Sequence, residues 1–145
     1  MRLRGFTLLE LLIVVAIMAV ATAGVSFALR DSSQTLLERE AQRLAALFES
    51  GRAQSRVSGQ PVLWRAAGQG FVFDGLTGAS TLPTMWLGQG VQASGAVLLG
   101  PEPILPPQQV RLTSSDTAGR SLTVFTDGVR PFAVRSDDST RASQP

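Results

Sequence analysis

From Phe6 to Leu29 the chain runs 24 residues with a single charge, Glu10. As a helix rising ~1.5 Å per residue, that stretch reaches ~36 Å, enough to cross a hydrocarbon core of ~30 Å. Arg2 and Arg4 precede it, and Arg30 is the next charge after it. The basic leader is expected on the cytoplasmic side, with the rest of the chain across the membrane. A secretory signal peptide is one simple reading, with small-residue cleavage patterns at Ala19-Val20-Ala21 or Ala21-Thr22-Ala23. A plain signal anchor is another. Neither accounts for Glu10. A charge at membrane depth costs roughly 2.5–3.5 kcal/mol on insertion scales, less near the end of a span, and normally has a partner.

A cut between Gly5 and Phe6 would supply one. Phe6 would then carry a free α-amine, with Glu10 four residues on along the same helix face. The carboxylate could meet its own amine or that of a neighbouring helix. The second arrangement fixes the axial offset between chains, because any other register leaves both charges unpaired in a dry medium.

The stretch "RGFTLLELLIVVAIMAV" resembles the N-terminus of the type IV pilin and type II secretion pseudopilin superfamily. The shared features are a short basic leader, Gly5, Phe6, an acid at Glu10 and a long apolar helix. The resemblance implies a prepilin peptidase that cuts after Gly5 and methylates the amine of Phe6. It also implies that Glu10 and the Phe6 amine form an assembly charge pair.

The missing residue types narrow the chemistry. All 13 basic residues are arginine, and the chain has no lysine, histidine, cysteine or tyrosine. Thiolate and Ser-His-Asp nucleophiles, Schiff bases, disulfides and ordinary zinc sites are therefore excluded. A non-enzymatic protein without cofactor or metal is expected. Loss of Arg2 and Arg4 with the leader leaves basic and acidic residues equal in number, which argues against an electrostatic grip on nucleic acid.

Residues 31–58 contain no proline, and Leu37, Ala41, Leu44 and Phe48 recur at helical spacing, with Leu36 and Leu47 beside them. This predicts an amphipathic helix whose apolar stripe packs on the C-terminal part of the chain. Thr35 and Glu38 resemble a capping box, so a kink or restart is expected near Asp31–Thr35. Glu40 is expected at the rim of the stripe, and Gly51 at a cost of ~1 kcal/mol relative to Ala. Gly59 and Pro61 end the helix.

Beyond Gly59 short alternating runs predict strands at Pro61–Ala66, Gly70–Phe73, Val91–Ala93, Ala96–Leu99, Gln109–Thr113, Ser121–Thr126 and Phe132–Arg135. Asp127-Gly128 signals a hairpin, somewhat lengthened by Pro131. "GPEPILPPQQ" should be an extended loop or edge. The expected fold class is α+β, a long N-terminal helix packed on antiparallel sheets, pilin-like in arrangement. The expected divisions are a cleaved leader at 1–5, a membrane and assembly helix at 6–30, an amphipathic helix at 31–60, a periplasmic β head at 61–136 and a polar tail at 137–145.

"EAQRLAALFESGRAQSRVSGQPVLW" followed by "GFVF" also resembles H-type minor pseudopilins of type II secretion, with "GPEPILPPQQVRLTS" and "SLTVFTDGVRPFAV" fitting more loosely. The resemblance implies a single-pass inner-membrane precursor with a periplasmic head that joins a pseudopilus exporting folded proteins. Its implied partners are other major and minor pseudopilins, the prepilin peptidase and the inner-membrane secretion platform. T-type minor pilins of type IV pili share the domain, and DNA uptake is the alternative.

Three further motifs compete with plain structure. "GQGVQA", Gly88–Ala93, satisfies G-x-G-x-x-A, but the residues around it read as strand or turn where a dinucleotide site needs a following helix. Asp137-Asp138 falls short of the six to eight oxygens of a calcium site and reads as solvated charge. Trp64, Trp86, Arg65, Arg130, Arg135 and Arg141 could form an aromatic-basic surface for single-stranded nucleic acid, although alternation puts Trp64 in the core and nearby acids dilute the arginines.

Overall fold

The computed structural model describes residues 7–76, 82–115 and 120–137, and of 26–34 the backbone alone. One helix, α1, spans Leu8–Ser58, 51 residues, or about 76 Å at 1.5 Å per residue. Thr7 is its N-cap. Its backbone is extended, and its Oγ1 accepts the Glu10 N–H at 3.3 Å. Gly59 closes the helix in the left-handed region (φ 67°), donating to the Ser55 carbonyl at 2.9 Å.

The expected restart near Asp31–Thr35 does not occur, and the backbone is helical straight through it. No glycine or proline lies between 25 and 50. Residues such as Asp, Ser and Thr cap helices only where the i→i−4 ladder is already interrupted.

From Leu37 onward α1 enters the head. Leu37, Ala41, Leu44 and Phe48 are buried as the spacing predicts, and the stripe continues through Gly51, Arg52 and Ser55. Gly51 has a packing role as well as a helix cost: a Cβ there would lie 2.8 Å from Leu99 Cδ1. The missing side chain lets the helix approach the sheet.

Among the described residues seven strands follow: β1 Leu63–Ala67, β2 Gly70–Asp74, β3 Val91–Ser94, β4 Ala96–Leu98, β5 Gln108–Ser114, β6 Ser121–Thr126 and β7 Ala133–Ser136. Each expected strand is found, with ends shifted by one or two residues. They form two antiparallel sheets, ordered β2-β1-β4 and β3-β5-β6-β7. Pro61 and Val62 stand outside β1, but the Val62 carbonyl still accepts the Leu99 N–H at 2.8 Å. Residues 99–107, where the prolines cluster, carry no strand.

The core lies where α1 meets both sheets. The Phe48 ring packs edge-on against Trp64 of β1, 5.1 Å between centroids, and against Phe132, just before β7, at 4.8 Å. Such pairs contribute ~0.5–1.5 kcal/mol beyond area burial. β3 and β4 are separated only by Gly95, whose φ of 124° lets the chain leave one sheet for the other. Gln108 ties the sheets together again. Its amide accepts the Leu98 N–H at 2.7 Å and donates to the Leu98 carbonyl at 2.9 Å, replacing a backbone partner for β4.

Asp137 is not a solvated tail residue. Its carboxylate accepts from Arg111 at 3.0 Å, Ser121 at 2.9 Å and Thr123 at 3.0 Å. Burial pushes this carboxyl up, but those three donors outweigh it and hold the group below the ordinary aspartate range. Asp138, Arg141 and the rest of the expected tail lie outside the described residues.

Candidate assembly site

The stem and the head use one helix in opposite ways. Every described side chain from Thr7 to Val25 is exposed, Leu8 at 79% and Val20 at 74% among them. Leu8–Val25 is apolar and long enough to cross a membrane. Within it the Thr22 hydroxyl donates to the Met18 carbonyl at 2.6 Å, so this polar group is satisfied inside the helix.

Gly5 and Phe6, the expected cleavage and methylation positions, lie outside the described residues. Glu10 is exposed in the first turn of α1, and its backbone N–H donates to both the side chain and the carbonyl of Thr7. A carboxylate there also complements the positive end of the helix dipole. The local spacing Thr7-x-x-Glu10 is that of a capping box, a signal easily overlooked beside the i+4 relation to Phe6. Glu10 therefore has a local part in starting the helix, besides whatever it pairs with in an assembly.

Two buried charges mount the head on the helix. Glu40, expected at the rim, is only 2% exposed. Its carboxylate accepts the N–H groups of Leu87 and of Gly88, the latter at 2.8 Å, and pairs with Arg43 at 3.3 Å. Arg43 Nη1 also donates to the Met85 carbonyl at 3.0 Å. Burying a carboxylate is costly unless charge and hydrogen bonds compensate, and here both do. No local pattern could have shown this, because the two N–H donors lie 47 and 48 residues away along the chain.

Arg52 repeats the device one helical stretch further. It is 3% exposed and donates to the Gly128 carbonyl at 2.8 Å, while Glu49 accepts the Phe132 N–H at 3.0 Å. Both grip the β6–β7 turn. Within that turn Asp127 Oδ1 accepts from Arg130 at 2.8 Å and Val129 at 3.0 Å. The N–H groups of Arg130 and Val129 hold the Asp127 carboxyl below its ordinary range. A side chain at Gly128 would collide with the Leu105 carbonyl.

Three of the four arginines of the expected nucleic-acid surface are engaged, and the fourth, Arg141, lies outside the described residues. Arg65 pairs with Asp74 at 2.8 Å, Arg130 with Asp127 at 3.6 Å, and Arg135 sits 4.9 Å over the Phe125 ring. Trp64 is fully buried, and Trp86 packs against Phe71 at 4.6 Å. Trp64, sealed in the core, therefore offers no face for stacking a base. Gly88–Ala93 leads into β3 and no helix follows, so the dinucleotide geometry is not formed.

An exposed apolar stem continuing into a buried helix stripe, capped by two antiparallel sheets, defines an α+β pilin-like architecture. Residues 1–26 match the family model described as the prokaryotic N-terminal methylation motif. No curated protein and no solved structure matches the chain. The match supports a type IV pilin-like or pseudopilin-like protein. Such a motif implies processing by a prepilin peptidase and assembly with other pilin-like subunits. With the apolar N-terminal helix, it fits a single-pass inner-membrane anchor.

Proposed function

We propose that this chain is a non-catalytic structural subunit, an H-type minor pseudopilin of a type II secretion system. In this reading it is inserted with its head in the periplasm, cut after Gly5, methylated on Phe6, and built into a short filament beside other major and minor pseudopilins on the inner-membrane secretion platform. Its place is near the filament tip, and the filament helps drive folded proteins out of the cell. The observation that carries the reading is the methylation motif on a helix whose first turns are wholly exposed and which from Leu37 to Ser55 buries one face in the head.

Glu10 and the Phe6 amine form the register-setting pair. Any offset that separates them leaves two unpaired charges in a medium of low dielectric.

Mass spectrometry of the mature protein tests the processing step. An N-methylated chain beginning at Phe6 is expected; a chain beginning near Gly24 overturns the reading. Glu10→Ala should be processed normally yet enter filaments poorly, as read by crosslinking to neighbouring subunits. A gel shift of the full chain in detergent with single-stranded and duplex DNA addresses the T-type alternative, and no shift at low salt is expected.

A further inference from the structure

The Gly88–Ala93 stretch, which makes no dinucleotide site, forms one wall of an open cleft of about 520 Å³. Gln69, from the β1–β2 turn, Gln89, in the turn before β3, and Gln92, within β3, line it together with the half-buried Trp86. All three glutamines are exposed, and no charged side chain is among the lining residues. The volume lies within the roughly 300–1,000 Å³ usual for ligand sites.

The wall is held in place from behind. Glu40, buried beneath it, takes the N–H groups of Leu87 and Gly88, and Arg43 takes the Met85 carbonyl. Trp86, between these anchors, is further fixed edge-on against Phe71. A buried carboxylate thus stiffens a loop that carries an indole and a glutamine.

We propose that this cleft binds a neutral glycan. Each glutamine amide offers an acceptor oxygen and two donor hydrogens, the pairing that vicinal hydroxyls require. An indole supplies an apolar surface for the C–H face of a sugar ring while its edge stays polar. The glutamines come from separate chain segments and line the same cleft as the indole, a combination that suits a ring with hydroxyls on its rim. With no charge in the lining, carboxylate and phosphate ligands gain nothing there. Glycan binding at this cleft does not depend on how the stem assembles.

The test uses the full chain in a zwitterionic detergent without a sugar headgroup. Oligomers of glucose and of N-acetylglucosamine are titrated against tryptophan fluorescence and ligand-observed saturation transfer. Saturable binding of at least one oligomer is expected, weakened about tenfold or more in Gln89→Ala/Gln92→Ala, in keeping with the loss of two or more hydrogen bonds. These positions are exposed, so the variant should keep its fold, checked by an unchanged thermal transition. Failure of every oligomer to bind overturns the proposal, as does binding indifferent to the double substitution. Preferential binding of an uncharged extended peptide overturns it too, and would assign the cleft to strand addition at β3.

Discussion

The two ends of α1 share a backbone and differ in almost everything else. Between Thr7 and Val25 the described side chains are exposed and take no part in the core of the head. Between Leu37 and Ser55 one face is sealed against two sheets, and the two buried charges, Glu40 and Arg52, each meet hydrogen-bond partners from the sheets or their connections. The contrast teaches that helical order in this chain is not evidence of packing. The stem carries its own i→i−4 ladder, and its exposed apolar surface fits a membrane anchor.

The strongest way to break the comparison is to remove Phe48, which has no exposed surface and touches rings on both sides of the core. Phe48→Ala should destabilise the head by about 3–5 kcal/mol. Leu12→Ala in the stem should leave the head's unfolding free energy within about 0.5 kcal/mol of wild type. Equal losses would mean the stem is not independent of the head.

Glu40→Ala comes next. It removes the acceptor of two part-buried N–H groups and the partner of Arg43, and should cost about 1–3 kcal/mol, with Glu40→Gln recovering part of it, as measured by chemical denaturation.

The two helix glycines make a matched pair. A Cβ at Gly51 meets Leu99, whereas one at Gly24 meets nothing within 4 Å. Gly51→Ala should therefore lower head stability by about 1 kcal/mol despite better helix propensity, while Gly24→Ala leaves head stability unchanged and raises helicity. Opposite results in circular dichroism and denaturation would reverse the packing assignment.

The smallest effect concerns acid. Asp127 and Asp137 both have carboxyls held below the ordinary aspartate range. Groups shifted in that direction stabilise the fold above their unfolded pKa and lose that contribution as pH falls through the folded value. The head should weaken as pH drops below about 4, and Asp137→Asn should flatten that part of the profile while lowering stability at neutral pH.

Much of the architecture is legible in the chain because it is periodic. The 3.6-residue stripe from Leu37 to Phe48 and the seven alternating runs appear where the pattern puts them. The departures share one cause. Glu40 looks like a rim residue and Asp137 like a tail residue because a charge in sequence carries no sign of its partner. Gln108 looks like any strand residue, yet its amide joins the two sheets. Thr35 and Glu38 offer a cap that an unbroken ladder does not need.

The sequence alone determined the apolar stem, the acid within it, the strands of the described residues and the exclusion of thiol, imidazole and lysine-amine chemistry. Each comes from residue type or short-range spacing, which a linear string records in full. The tertiary structure decided which charges are buried, which glycines are tight, where the chain changes sheets, and that Gln69, Gln89 and Gln92 face one cleft. Those depend on contacts across dozens of residues, where the free energy comes from desolvated partners that only folding brings within reach.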